Sequence, residues 1–471
     1  MKTKKRLVLL PLFAFLAGCA SIDISQTIDR SSARLEKLTS HKPLLALTSS
    51  QKAELERVSS KLLSKPLDLV GSVELMLSNS PRFQALLASG LATSTSLAQS
   101  SRIPNPVFNF ERVTVGSELE FGRLLSFGLL DILSLPWRKQ SASLEVQRAE
   151  LQLAADVSAE IIAVQEAWID AVLAIQKEKY AKKIVSISQA DAQLARRLNE
   201  VGNFTATQRI RRQLFYSEAV VSHALLKQKA SAAREKLVRL LGLTADQQRS
   251  LVIPDNLPKL PLTPLTADQV SARATNRLDV DMAKLSYEAA AKRFGIDSVN
   301  SFIDVEFGVR KNSVYDRTTG ESSKPSGYEL DVRLPLFDWG DLKRSNASAE
   351  LLYKANTLEA TLRNAESTLR ESYVLYRTSF DIAKHFISEV IPMREALAEE
   401  SVYQYNGMLI STFDLIAESK DQVQAIQASM DAQANFFKAQ LALESNLIGN
   451  PLSQALQLES SGKSSAASGG H

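Results

Sequence analysis

The sequence predicts a mostly α fold with a small β part, built as an internal duplication in which each half carries a long coiled-coil helical hairpin and a β-hairpin. Three observations carry this expectation. Gly and Pro are sparse (18 and 15 in 471 residues) while Ala, Leu, Ser, Glu, Gln and Lys dominate, a helix-rich composition. From Arg138 to Asn199 there is neither Pro nor Gly, and Val157, Ile161, Val164, Trp168, Ala171 and Ile175 alternate spacings of four and three, the seam of a coiled coil. Finally, the same order of elements recurs after the Pro-rich stretch Pro254 to Pro264.

The chain opens with Lys2, Lys4, Lys5 and Arg6, then an apolar run from Leu7 to Leu16, then Leu16-Ala17-Gly18-Cys19. A basic start, a short apolar run and small residues before a cleavage point read as a signal peptide over 1–18. The last four residues resemble the bacterial lipobox, which implies lipidation of Cys19 and cleavage before it. Ala20 is not the Asp of the inner-membrane retention rule, so outer-membrane delivery is the expectation. Cys19 is also the only cysteine, which excludes an intramolecular disulfide, a thiolate metal site or a cysteine nucleophile elsewhere. The net charge of +4 lies entirely within residues 1–18, leaving 52 basic against 52 acidic residues beyond them. A nucleic-acid partner is therefore not expected.

Residues 19–65 are polar and Ser-rich and read as a lead segment or linker. The first repeat, 66–253, starts with a helical pattern (Leu67, Val70, Val73, Leu77) running to about Ser101, where Ile103-Pro104-Asn105-Pro106 stops it. Residues 107–133 read as two strands and a turn. A helical hairpin over 138–243 follows, broken at Gly202-Asn203-Phe204-Thr205. The linker 254–266 leads to the second repeat, 267–449, with a helix to about Gly295. Its strand pair, 302–334, is the cleaner one: Ile303, Val305, Phe307 and Val309 alternate with charged or small residues, as do Tyr328, Leu330, Val332 and Leu334. The second hairpin, 342–447, carries Leu351, Ala355, Leu358, Leu362, Ala365 and Leu369 on the same seam, with a kink expected at Pro392. The tail 450–471 is Ser- and Gly-rich and expected to be disordered. Arg138-Lys139 precedes the first long helix and Lys343-Arg344 the second; Thr205 in the first turn matches Ser411 in the second.

After the signal no apolar run reaches the ~18 residues of a membrane-spanning helix. The nearest, Leu124 to Trp137, is broken by Asp131. Any crossing of a membrane would fall to the strands, whose apolar and charged faces suit lipid on one side and a wet lumen on the other. Four strands cannot close a barrel, which takes about eight, so several copies would share one. Repeated around an axis, the hairpins would make a hollow cylinder of helices capped by a small barrel.

Over residues 66–449 the sequence resembles the TolC-like outer-membrane efflux proteins. The marks are Asn79-Ser80-Pro81, Arg277-Leu278-Asp279, Pro335-Leu336-Phe337-Asp338-Trp339-Gly340, Pro392-Met393-Arg394-Glu395-Ala396-Leu397, and Tyr405-Asn406-Gly407-Met408-Leu409-Ile410-Ser411-Thr412-Phe413-Asp414-Leu415. The resemblance implies a homotrimer sharing a 12-stranded outer-membrane β-barrel on an α-helical periplasmic barrel, docked at its tips to a periplasmic adaptor and an inner-membrane pump. It implies that Asp414 projects into the periplasmic mouth as part of a carboxylate ring and that Tyr405 ties the closed mouth together. The plain alternatives are an acid favouring a helix N-terminus and a packed interface tyrosine. The family's second acid falls at Ala417, with Glu418 beside it, so a two-ring constriction is not expected. Gly202, Thr205 and Gln208, with Ser411 in the second half, mark tips where an adaptor would dock; helix capping is the simpler account of Thr205 and Ser411. Trp137 and Trp339, at matching strand exits, fit either an interfacial belt or core filling.

The four histidines stand far apart and pair with no acid at ligand spacing, and no phosphate loop, nucleophile elbow or zinc motif appears. No metal, cofactor or enzymatic activity is expected. The reading is a passive exit duct, an outer-membrane channel subunit of a tripartite efflux or export system for small molecules or ions. The alternative is a non-channel periplasmic coiled-coil lipoprotein acting as scaffold or adaptor.

Overall fold

The computed structural model describes residues 45–273, 277–300, 304–333 and 339–450. Cys19 with the signal peptide, the start of the lead segment, the junction residues 334–338 and the tail beyond 450 lie outside the described residues.

Residues 49–63, which the sequence reading places in a lead or linker, form helix α1 (Ser49–Leu63). Thr48 and Gln51 close a capping box at its start, and Leu62 and Leu63 are buried. Serine richness hid it: Ser59 and Ser60 satisfy their hydroxyls on the carbonyls of Leu55 and Glu56, at 2.8 Å each, inside the helix. The single helix expected from Pro66 to Ser101 is two, α2 (Leu69–Asn79) and α3 (Pro81–Gln99). Pro81 has no N–H to give to a preceding turn and instead starts the next helix.

Strands β1 (Val107–Val115) and β2 (Glu118–Gly128) join through a two-residue turn in which Gly116 has φ 58. The expected strand region to residue 133 ends early, because Leu129–Leu133 is a short helix, α4. Its Asp131 accepts from the Arg138 guanidinium at 2.8 Å, and that guanidinium also donates to the Ser100 carbonyl at 2.9 Å. One arginine thus ties the end of α3, α4 and the start of the next helix, a side-chain demand that backbone periodicity does not carry. There follow α5 (Leu135–Glu200), α6 (Ala206–Leu241), α7 (Ala245–Ser250), α8 (Ala267–Arg273) and α9 (Leu278–Asn300). The second strand region holds β3 (Asp304–Lys311), β4 (Ser313–Asp316), β5 (Ser322–Ser323) and β6 (Ser326–Arg333). The chain ends in α10 (Asp341–His385), a π-helical turn (Phe386–Val390), α11 (Ile391–Asn406) and α12 (Thr412–Ile448).

These elements fall into two compact units. The described residues of the first are Ala88–Leu153 and Met282–Glu359; those of the second are 45–87, Ala154–Asp281 and 360–450. In the first unit the six strand segments reduce to four antiparallel strands. Glu118 faces Asp316 and Gly128 faces Glu306 in one unbroken register, so β3 and β4 are a single strand. The same holds on the other side, where Lys311 faces Ser326 and Val314 faces Ser323, making β5 and β6 another.

The second unit holds most of the fully buried large side chains, among them Trp168, Phe83, Phe436, Leu75, Ile161 and Leu237. Trp168 donates from Nε1 to the Leu67 carbonyl at 2.7 Å, satisfying its polar edge. Phe436 packs against Tyr376, Phe380 and Phe437 with ring centroids 5.2 to 5.6 Å apart. Burying one such ring contributes roughly 3 kcal/mol.

The duplication is written into matching closures. Each repeat's last long helix ends in a left-handed glycine, Gly242 (φ 65) and Gly449 (φ 82). A Cβ on Gly242 would lie 2.8 Å from Ser80 Cα, and one on Gly449 would lie 2.7 Å from Leu278 N. The start of each repeat's short helix therefore seats directly on the end of its last helix. Asn79 donates to the carbonyls of Leu241 and Gly242 (3.1 and 3.0 Å), and Arg277 donates to that of Asn446 (2.7 Å) while holding Asp279. The sequence marks at 79–81 and 277–279 are these seats.

The two seams differ. Val157, Ile161, Val164, Trp168 and Ala171 are all buried, whereas in the second repeat only Ala365 is buried and Leu362 is 47% exposed. One chain buries the first seam over Val157 to Ala171 and leaves most of the second half-buried.

Candidate functional site

Two places carry the chemistry of this molecule: the faces of the sheet and the tips of the hairpins.

The pairing registers put Phe108, Leu125, Phe127, Phe307, Val309, Tyr328, Leu330 and Val332 on one face of the sheet. Phe127 and Phe307 pack with tilted rings, centroids 5.6 Å apart, while Phe108, Val309, Tyr328 and Leu330 are exposed. The face is purely apolar at the end where strands meet helices. Toward the hairpin turns it admits Arg123, which donates to Ser313, and Arg112, whose guanidinium lies 6.0 Å from the Phe121 ring centroid. Those arginines made the alternation of the first strand pair hard to read. The opposite face carries Glu111, Glu118, Glu120, Glu306, Glu329 and Asp331 around Arg310, which approaches Glu111 and Glu329 at 3.9 and 3.7 Å. One face of the sheet is thus apolar and largely exposed, and the other is acidic. Among the described residues no helix is long and apolar enough to cross a membrane.

At the first tip, Gly202 (φ 81) is left-handed and Asn203 N–H donates to the Leu198 carbonyl at 2.8 Å. Thr205 and Gln208 form a reciprocal capping box that starts α6, with contacts of 2.8 and 3.2 Å. The second tip repeats this geometry 206 residues on, with Leu409 N–H donating to the Gln404 carbonyl at 2.8 Å. There the left-handed residue is Met408 (φ 58), not the neighbouring Gly407. Ser411 and Asp414 form the matching box: the Ser411 hydroxyl donates to Asp414 Oδ2 at 2.7 Å and its backbone N–H at 3.0 Å. Those two donors, hydroxyl first, hold the Asp414 carboxyl below its ordinary range. Asp414 is fully exposed and lies on its own cap, so the capping role expected of Ser411 includes the acid as its partner. Tyr405 is 38% exposed, and its carbonyl accepts from Met408 N–H at 3.0 Å.

Sequence reasoning missed the ion pairs that brace each hairpin behind its tip. In the first, Arg212 of α6 reaches Asp191 of α5 at 3.5 Å, with both side chains largely buried. Burial pushes the Asp191 carboxyl up, and the Arg212 charge offsets this only in part. In the second, Arg394 of α11 reaches Glu418 and Asp421 of α12 at 3.0 and 3.8 Å. Partners some twenty residues apart across a turn leave no local signal, although Arg394 stood inside a recognised motif. Among the described residues no group of His, Cys, Asp and Glu is arranged to hold a metal.

The fold that this architecture defines is TolC-like: long helical hairpins with a curled β part. In particular, the chain superposes on a membrane protein from Pseudomonas aeruginosa with a TM-score of 0.68 at 16% identity, covering 87% of this chain and 97% of that one. The outer membrane protein VceC from Vibrio cholerae gives 0.65 at 15%, covering 86% and 99%. CusC, described for its folding and transmembrane channel formation, gives 0.65 at 13%, covering 83% and 92%. No protein-family model and no curated protein matches this sequence. At these identities the likeness is one of fold.

Proposed function

We propose that this chain is the outer-membrane channel subunit of a tripartite efflux or export system, a passive exit duct for small molecules or ions. The observation that carries the reading is the two-faced sheet. Its apolar face is exposed, its other face is acidic, and its four strands are about half of what the smallest barrel needs. A homotrimer sharing twelve strands would remove the open edges, and the half-buried seam of α10 would be buried fully between copies. The hairpin tips at Gly202, Thr205, Gln208 and Ser411 would dock a periplasmic adaptor, itself joined to an inner-membrane pump that supplies the energy. Asp414 and Tyr405 would line the periplasmic mouth, and a lipid on Cys19 would tether the chain beside its barrel.

Purified protein in planar bilayers, with crosslinking in parallel, tests this. The expected result is a trimer that conducts, with lower cation preference in Asp414→Ala. A monomer without conductance sinks the channel reading and leaves the non-channel scaffold. Cys19→Ala behind an ordinary cleavable signal is expected to insert and assemble less efficiently; complete release into the periplasm would show that the strands do not hold the membrane.

A further inference from the structure

Helices α5 and α12 come from different halves of the duplication, and two ion pairs join them. Lys177 Nζ lies 2.5 Å from Asp431 Oδ1, and Lys438 Nζ lies 2.5 Å from Asp170 Oδ1. Residue 170 thus faces 438 while 177 faces 431. This is one antiparallel register, in which each helix offers an acid and, seven residues on, a base. Just past α12, Asn450 Nδ2 donates to the Ala155 carbonyl at 2.7 Å, within about one helical turn of the same register. Asp170 also lies 3.7 Å from Lys236, so α6 helps to hold it in place. All four side chains of the two pairs are more than half buried, so solvent does not fully screen them.

Apolar packing does not choose this register. Buried residues recur every seven positions, at Val164 and Ala171 on α5 and, on α12, at Ala432 and Ala439 and again at Ala434 and Leu441. A seam of that period meets its partner again one heptad along, about 10 Å away. The charges do not. A slip in one direction sets Asp170 against Asp431, and a slip in the other sets Lys177 against Lys438. Either slip also leaves the other α5 charge opposite a neutral residue, Gln424 in the first case and Ser445 in the second.

We propose that these two pairs are a register code: they admit α12 to α5 in one alignment and repel it one heptad away on either side. The code sets the height of one hairpin tip against the other, since α5 runs on to the first tip and α12 starts at the second. That a docked partner would need both tips level rests on the channel reading; the register itself does not.

Swapping charges separates a code from a brace. Lys177→Asp with Asp431→Lys keeps an opposite-charge pair at both levels of the native alignment, so a role in stability alone predicts no change. It also gives α5 two acids and α12 two bases, which makes both slipped alignments attractive. In full-length protein made in cells, Ala174→Cys is combined with Ala434→Cys to report the native alignment, or with Gln427→Cys to report a slip of one heptad. Each is treated with a short thiol crosslinker, and products within one chain are counted. Without the swap, crosslinking is expected at 174 and 434 alone. With it, the product at 174 and 427 should rise about fivefold, the effect of exchanging a repulsive pair for an attractive one. Lys177→Gln with Asp431→Asn, which removes one pair and adds no attraction, should raise it far less. A swapped protein that crosslinks only in the native alignment, or a neutral variant that slips as much as the swapped one, overturns the code. Should the first swap not accumulate, Asp170→Lys with Lys438→Asp makes the same segregation at the other level and carries the same expectations. Conductance in bilayers is read on the unaltered protein, so absence of a channel overturns the consequence for docking and leaves the register result standing.

Discussion

The two helical hairpins share a topology, a length and a tip geometry, yet they are built to different tolerances. The first helix of the first hairpin, α5, runs 66 residues without interruption, about 100 Å. Its counterpart is broken by the π turn Phe386–Val390 immediately before Pro392. Pro392 cannot donate to the preceding turn, and the widened turn absorbs that missing bond. The first tip makes its left-handed corner with glycine, the second with methionine. The cross-helix ion pairs have opposite polarity, acid to base in the first hairpin and base to acid in the second, and the first is much the more buried. Over matching tip-proximal windows, residues 182–220 hold seven basic and three acidic residues, whereas 388–426 hold two basic and seven acidic. Duplication preserved the backbone plan; divergence placed strain, interruption and negative charge in the second hairpin.

This contrast can be broken experimentally, starting where most energy is at stake. Arg212→Leu removes one partner of a largely buried pair and leaves Asp191 uncompensated, at a cost of about 3 kcal/mol. Arg394→Leu, at a half-exposed pair, should cost about 1 kcal/mol or less. Chemical denaturation of the two variants side by side checks this, and equal losses would mean that the hairpins are braced alike.

The corners come next. Gly202→Ala meets no atom within 4 Å, so its expected loss of about 1 kcal/mol is purely the left-handed backbone penalty. Met408→Gly should gain a similar amount by releasing that penalty. Amide exchange at residues 198–204 and 404–410 would read both, and opposite signs are the expected outcome.

A smaller effect is expected at the kink. With Pro392→Ala the missing donor returns, and residues 386–390 should relax toward regular α-helix. Amide exchange across the turn should slow severalfold; unchanged exchange would assign the π turn to packing instead of to proline.

The smallest effect concerns protons. The Asp414 carboxyl is depressed in the folded chain, so the box it forms with Ser411 is fully present above the ordinary aspartate range and is lost as pH falls through the lowered folded value. Ser411→Ala should move that loss to higher pH, toward the ordinary carboxylate range, in a titration followed by carboxyl NMR. The first tip, capped by neutral Gln208, should show no such transition.

Much of this architecture was legible early because it rests on periodicity and punctuation. The seam from Val157 to Ala171, the tips at residues 202–205 and 411–412, and the alternation of residues 305–309 are local patterns with one physical reading each. Capping was legible in the same way, since a hydroxyl followed three residues later by Gln or Asp is a box wherever the backbone turns into a helix. The site was less legible. Asp414 was singled out for a ring that involves other copies, while its visible partner is Ser411, three residues away. Helix α1 escaped because its serines spend their hydroxyls on its own carbonyls, and α4 because an arginine ten residues beyond the strand organises it.

The sequence by itself determined the fold class, the duplication, the faces of the second strand pair and the position of the hairpin tips, because hydrophobic period, proline, glycine and capping residues act within a few positions along the chain. Only the tertiary structure decided where β2 stops, which seam one chain buries, and which charges meet across a hairpin. It also decided that Trp137 and Trp339 face outward while Trp168 is buried. Those outcomes are set by side chains that meet only after folding, and residue identity alone does not separate an indole that fills a core from one that is left exposed.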